Sequence, residues 1–354
     1  MPQTLKIAFL GDIGLNGKYI KLYQEGIDPF AAITGLKDRD GHIIGNLECM
    51  AKGDQGENLL KKPRITTTVD TLGFLKKIGV TAVSLAQNHI YDHLEDGFEK
   101  TVHFLDQHGI SRLGAGWNKD EAGRPLILQE NGIKAGLLNY VTEDTNPALP
   151  ADAKVCLNFF NEEKALQDIA LLRPRVDHLV LLLHWGGRVE GGMFPDYDQP
   201  FIAHRLIDAG ADLIIGHHAH TFQPYEKYKG KYIFYSLGNF CFSDFEFEGR
   251  QIYLPKRRKI TGLVDITFSK TDYKIKLNFY YNVLTHFKSL PNYHFKVKLR
   301  NIVFKYFFKY FFIWRIYFFF KSNMLPVYLF FIRPDIPFRH KLSRIIKSFL
   351  RRLS

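Results

Sequence analysis

Five short apolar runs in this chain each end in polar residues of the kind that bind metals, and this recurrence constrains the fold more than any other feature. The runs span residues 5–10, 42–47, 80–85, 178–183 and 212–215. They lead respectively into Asp12, Glu48, Asn88-His89, His184 and the cluster His217, His218 and His220. Apolar runs of this length bounded by turn residues read as buried strands. Between them, Phe98, Val102 and Leu105 recur at i, i+4 and i+7, which predicts a helix over 94–107 closed by Gly109. Further helices are expected over 70–78, capped by Gly79, over 162–172, and around Ile202, Leu206 and Ala209, stopped by Gly210. Asn131-Gly132 predicts a hairpin within 126–140, and 232–235, 262–268 and 274–284 read as strands. Strands alternating with helices argue an α/β body to about residue 285. In such sheets sites are built at the carboxyl ends of the strands, so the five polar clusters share one address.

The net charge of +12 belongs to the end of the chain. Residues 295–354 carry 14 Lys or Arg against one acid, Asp335, while the preceding residues carry 34 basic and 35 acidic groups. The body therefore has no nucleic-acid-like charge. Three scattered cysteines, Cys49, Cys156 and Cys241, lack any C-x-x-C pairing, which argues against a disulfide framework or zinc ribbon and suits a reducing compartment. No signal-like segment opens the sequence, so the body is expected in the cytoplasm.

Taken singly, Asp12 could cap a turn, Glu48 could be a surface acid and His184 a core histidine. Together, Asp12, Glu48, Asn88, His184, His218 and His220 form a mixed oxygen and nitrogen set suited to Mn, Fe or Zn. Six ligands exceed what one catalytic ion takes from protein, so two divalent transition metal ions sharing a bridging carboxylate are expected. His89, beside Asn88, is the candidate general acid.

These residues carry a family resemblance. Gly11-Asp12, Asn46-Leu47-Glu48, Ser84-Leu85-Ala86-Gln87-Asn88-His89, Leu183-His184-Trp185-Gly186, Gly216-His217-His218-Ala219-His220 and Tyr235-Ser236-Leu237-Gly238-Asn239-Phe240 resemble the CapA family, the poly-γ-glutamate capsule-synthesis group of the calcineurin-like metallophosphoesterases. The resemblance covers about residues 5–245 and implies a four-layer α/β/β/α sandwich with a two-metal centre. It implies Asp12 as a catalytic residue on the first metal, Glu48 as the bridge, Asn88 and His184 on the second metal, and His218 and His220 giving one ligand to each. His217 and Asn239 are candidates for supporting contacts or the site wall. Gly14 stands where related phosphoesterases place a histidine, and Arg188, where many relatives have an acid, is a candidate for binding an anionic group. Glu226 reads as a solvated loop acid.

The domain division expected is a CapA-like body over 1–285 and a tail over 295–354. Residues 302–320 are intensely aromatic but hold Lys305, Lys309 and Arg315, which disfavours a membrane-spanning helix. Over 341–353, Leu342, Ile345, Ile346, Phe349, Leu350 and Leu353 fall on one helical face and five basic residues on the other. That is a basic amphipathic helix fit for an anionic membrane surface, with a partner-covering helix and RNA binding ranked behind it. The function expected is hydrolysis or transfer at a phosphoester or related anionic substrate in capsule assembly, at the inner face of the plasma membrane. The alternative is a non-catalytic accessory that binds an acidic polymer.

Overall fold

The computed structural model describes residues 3–33, 36 and 39–320. In chain order, β1 (Leu5–Ile13), β2 (His42–Leu47), β3 (Ala82–Ser84) and β4 (Ser111–Leu113) begin a first sheet. A second sheet takes β5 (Leu126–Glu130), β6 (Ile133–Val141), β7 (His178–His184), β8 (Leu213–His217), β9 (Tyr225–Tyr228) and β10 (Lys231–Phe234). The chain then returns to the first sheet with β11 (Asn239–Cys241), β12 (Ile260–Phe268), β13 (Tyr273–Asn282) and β14 (Phe287–Ser289). The strand orders are β14-β13-β12-β1-β2-β3-β4, with β11 also paired to β1, and β9-β10-β8-β7-β6-β5.

Period-two patterning explains how the sheets face each other. Leu5, Ile7 and Phe9 of β1, Ala135 and Leu137 of β6, Val180 and Leu182 of β7, and Leu213 and Ile215 of β8 form one buried core between the sheets. The opposite face of the first sheet, with Ala8, Leu10 and Ile43, packs under α1 (Lys18–Gln24), α2 (Phe74–Ile78) and α3 (Leu94–Gln107). On the far side of the second sheet, α5 (Glu162–Leu172) leans Leu172 on Gly136 of β6, and α6 (Gln199–Asp208) packs beside it. A short α4 (Lys119–Gly123) precedes β5. The layers are therefore helix, sheet, sheet, helix, as the family resemblance implies.

Local expectations meet their physical reasons. Asn131 (φ 51°) and Gly132 (φ 76°) form the two-residue turn between β5 and β6, where Glu130 pairs with Ile133. Gly79 closes α2 in the left-handed region, and the segment over 70–78 starts as a 3-10 turn before becoming α-helical.

The compact body runs beyond the expected boundary near 285. It includes β14 and the first half of α7 (Tyr293–Lys309), and the chain divides into two units between Asn301 and Ile302. Val297 is buried in the core between the sheets. Arg300 donates to the Phe222 carbonyl oxygen at 2.7 Å, and Asn301 Oδ1 accepts from the Tyr225 N–H at 3.1 Å. In the second unit, Trp314 of α8 (Phe311–Phe319) is buried edge-on to Phe304, while Phe312, Ile313 and Phe319 are exposed. Among the described residues no helix is long and apolar enough to cross a membrane. The amphipathic helix expected over 341–353 lies outside the described residues.

Candidate metal centre

Strand register brings the polar clusters together. In the first sheet Asp12 is level with Asn46 of β2 and Asn239 of β11, and in the second His184 of β7 is level with His217 of β8. Asn239 opens β11, and the other positions lie at the carboxyl ends of parallel strands. After β8 the chain turns sharply, with His218 (φ 84°) and His220 (φ 55°) both in the left-handed region. That conformation costs a non-glycine residue about 1–3 kcal/mol and persists only where surrounding structure imposes it. Gly216 is required just before, since a Cβ there would lie 2.0 Å from the Tyr235 carbonyl oxygen.

Two groups of ligand atoms result, and they share one carboxylate. Glu48, His184 and His218 form the first, and Asp12, Glu48 and His220 the second, with atoms in each within 4.8 Å of one another. Around His184 Nε2 lie Asn88 Oδ1 at 3.1 Å, His218 Nδ1 at 3.1 Å and Glu48 Oε1 at 3.6 Å. His220 Nε2 lies 3.6 Å from the same Glu48 oxygen. Glu48 Oε1 and Asp12 Oδ2 are buried without a hydrogen-bond donor. Buried carboxylate oxygens are normally satisfied, so two orphaned ones facing imidazoles are what a cation site requires. The donor set, all oxygen and imidazole nitrogen with no thiolate, fits divalent transition metals.

Titration supports the same fit. Burial opposes ionisation of Asp12, but the hydrogen bond from His217 and the charges of His217 and His220 hold its carboxyl well below the usual range. Burial, then the charges of Asp12 and Glu190, push Glu48 well above it. A cation at Oε1 would reverse that shift by replacing the proton. Burial and His218 drive His184 well below the usual imidazole value, and burial and His220 bring His218 down to about 3. Both imidazoles are thus neutral near pH 7, with lone pairs free to ligate.

Other residues fix the ligands in place. His217 donates from Nδ1 to Asp12 Oδ1 at 3.0 Å and belongs to neither ligand group. Asn239 Oδ1 accepts from His220 Nδ1 at 2.8 Å, which leaves Nε2 turned to Glu48. The Asn46 amide lies 3.0 Å from Asp12 Oδ1, 3.4 Å from Glu48 Oε2 and 3.3 Å from His184 Nδ1. His89 donates from Nδ1 to Asp92 Oδ2 at 2.7 Å, and burial lowers its pKa against the opposing charge of Asp92.

The centre opens into a cavity of about 300 Å³. His89, His218 and His220 form one wall, Phe242 and Leu254 an apolar one, and Lys61, Glu190 and Arg258 also line it. Asp92, Lys61, Glu190 and Arg258 are absent from the sequence expectation. The spacing His89-x-x-Asp92 is a visible signal for the first, but Lys61 and Glu190 reach the pocket on loops and Arg258 on a 3-10 turn.

Two expectations change, and the Gly14 departure gains a physical reason. Arg188 does not line the cavity; it pairs with Asp196 at 3.2 Å and with Asp198, and donates to the Tyr197 hydroxyl. Glu226 is on β9, where it accepts from the Tyr235 hydroxyl and from His204 Nε2 at 3.0 Å, so it is no solvated loop acid. Gly14 leaves no vacancy for a ligand, because a Cβ there would lie 2.8 Å from the Phe242 ring.

The chain is similar to known bacterial capsule proteins. The family model for bacterial capsule synthesis protein PGA_cap matches residues 6–244. The PGA biosynthesis protein CapA of Bacillus subtilis is 28% identical over 254 residues, covering 68% of this chain and 64% of that protein. The capsule biosynthesis protein CapA of Bacillus anthracis is 26% identical over 250 residues, covering 68% and 60%. A probable polyglutamine synthesis accessory protein of Mycobacterium tuberculosis is 31% identical over 173 residues, covering 44% and 43%. The chain thus matches less than two thirds of the length of each of these relatives. With the family model spanning over half of its residues, the chain belongs to the PGA_cap family of bacterial capsule synthesis proteins.

Proposed function

We propose that the protein is a two-metal hydrolase or transferase acting on a phosphoester or related anionic substrate in capsule-polymer assembly. The observation that carries this is the meeting of two ligand groups at Glu48, with its Oε1 and Asp12 Oδ2 buried and unsatisfied. Asp12, Glu48 and His220 would hold one ion, and Glu48, Asn88, His184 and His218 the other. Bound there, divalent ions supply Lewis acidity toward a phosphoryl or acyl oxygen and toward an attacking water.

The chain's own groups do the remaining work. Asp92 fixes the His89 ring through Nδ1–H, which leaves Nε2 as the atom that would take up a second proton and hand it to the leaving group, with Asp92 stabilising the charged ring in between. The apolar wall at Phe242 and Leu254 limits water around the reacting atoms. Metal content per chain, with turnover of generic phosphodiesters and γ-glutamyl peptides in added Mn or Zn, tests the proposal. A folded protein that takes up no metal refutes it, whereas turnover abolished by Asp12→Ala and His184→Ala supports it.

A specific observation favours the second reading, an accessory that binds an acidic polymer without turnover. The Phe242 ring fills the space beside Gly14, leaving the Asp12 group with three protein ligands. Metal uptake and polymer binding without turnover would select it. In either reading the second unit and the tail would bring the protein to an anionic membrane surface. Exposed Phe312, Ile313 and Phe319, with Lys305, Lys309 and Arg315 and no acid over residues 302–320, support this.

A further inference from the structure

We propose that Lys61 is the anion-holding residue of the pocket, taking a carboxylate or phosphoryl oxygen of the substrate. This rests on the pocket being the substrate site of the proposed metal centre. Lys61 is 3% exposed and lines the cavity together with His89 and His218. A buried lysine is rare unless paired. Both other cations that line the cavity have a carboxylate partner, Lys62 with Glu248 at 2.7 Å and Arg258 with Glu190 at 2.9 Å, as do their chain neighbours Arg64, with Glu57 at 2.7 Å, and Lys259, with Asp244 at 3.4 Å. Lys61 has no ion pair among the described residues. Its ammonium carries three donors, and the hydrogen bond found for it runs to the Asn146 carbonyl oxygen at 2.6 Å. Asp92, Glu48 and Glu190 act on it through longer-range attraction.

An ammonium taken out of water with donors to spare is costly, and an anionic ligand in the adjoining cavity removes that cost. The segment that carries Lys61 is also fixed relative to the chemistry. Arg64 donates to the Lys61 carbonyl oxygen at 2.9 Å, and the Ile65 N–H donates at 2.6 Å to the same Asp92 oxygen that holds His89. An anion held at Lys61 is therefore held at a set place relative to the His89 ring. The structural alternative is that Lys61 only straps its loop to Asn146, and the two roles separate on charge.

The test uses the full-length chain in zinc. Inorganic phosphate and glutarate are titrated calorimetrically into wild type, Lys61→Met and Lys61→Arg, and zinc per chain is counted in each. Lys61→Met should weaken one of the two anions roughly tenfold or more at unchanged zinc content, with Lys61→Arg restoring most of the affinity. The anion affected tells phosphoryl from carboxylate recognition. Equal binding of both anions by Lys61→Met and wild type, or no binding by wild type, overturns the proposal. If Lys61→Met fails to fold, the wild-type Lys61 ammonium resonance, identified by its loss in Lys61→Arg, must shift on adding phosphate or glutarate; no shift also overturns it. Wild-type protein without zinc instead refutes the metal centre, while the anion titration still decides the role of Lys61.

Discussion

Replacing Asn46 by alanine tests whether the ligands are held by a shared amide. Asn46 is fully buried at the end of β2, and its Nδ2 faces Asp12, Glu48 and His184 at 3.0, 3.4 and 3.3 Å. In the metal-free protein, with the His184 proton on Nε2, two N–H groups serve three acceptors, so at most two bonds form at once, and at least one goes to a carboxylate. A hydrogen bond to a charged group contributes about 1.5–3 kcal/mol, and a neutral one about 1 kcal/mol. The Asn46 Oδ1 acceptor for the Ser84 hydroxyl at 3.2 Å is lost as well, although Ser84 keeps the Gly45 carbonyl oxygen in reach. Asp12 Oδ1 retains His217, which moderates the damage. The expected loss in the metal-free protein is about 2–4 kcal/mol. Metal affinity should fall roughly 10- to 100-fold, as for other groups that orient ligands. Urea unfolding followed by circular dichroism, and calorimetric titration with manganese, read the two quantities. A stability change under about 0.5 kcal/mol together with unaltered manganese affinity would refute the reasoning, since a buried amide touching three ligands cannot then be holding them.

Four further outcomes are expected. Stripping metal should lower the melting temperature and adding manganese or zinc should restore it, while His218→Ala should reduce bound metal from about two ions to one, measured by elemental analysis. Asp196, raised to about 6 by burial and Asp198 against the pull of Arg188, binds its proton more tightly in the folded than the unfolded chain. Stability should therefore fall as pH rises from about 4 through about 6, and Asp196→Asn should gain on wild type over that window in denaturation curves; a gain on acidification would reverse the sign. A chain ending at residue 301 should melt higher than one ending at 290, because Val297, Arg300 and Asn301 complete the body. Removing residues 302–354 should abolish co-sedimentation with anionic vesicles, and unchanged co-sedimentation refutes the membrane proposal.

Much of the fold is legible because burial writes itself as periodicity. The continuous apolar run of β7 and the i, i+4, i+7 pattern of α3 each specify an element with little ambiguity. The metal-type residues are legible for a related reason: an apolar strand that stops on Asp, Asn or His makes an abrupt switch at a known place. What the sequence hides is who meets whom across loops. Nothing near Arg188 announces that Asp196 and Asp198 will take its guanidinium, and nothing near Lys61 announces burial beside His89. The end of the body is hidden likewise. The first half of α7 carries the same basic and aromatic composition as the residues after it, and only packing of Val297 and the contact of Arg300 with Phe222 separate them.

The ligands come from both sheets: Asp12 lies near the end of one strand of the first and Glu48 just after another, while His184 ends one strand of the second and His218 and His220 follow the next. With ions bound as proposed, the centre would act as a cross-link between segments well over 100 residues apart in sequence. It would pin one end of the interface between the sheets, much as a rivet holds two plates, while the other end is held by hydrophobic contact and by hydrogen bonds such as Asn131 to the Thr4 carbonyl oxygen and Tyr273 to the Asp212 carbonyl oxygen, both at 2.8 Å. Chelation should then loosen the molecule asymmetrically. Amide exchange should rise first at the carboxyl ends of β1, β7 and β8, with the amino-terminal halves of those strands still protected.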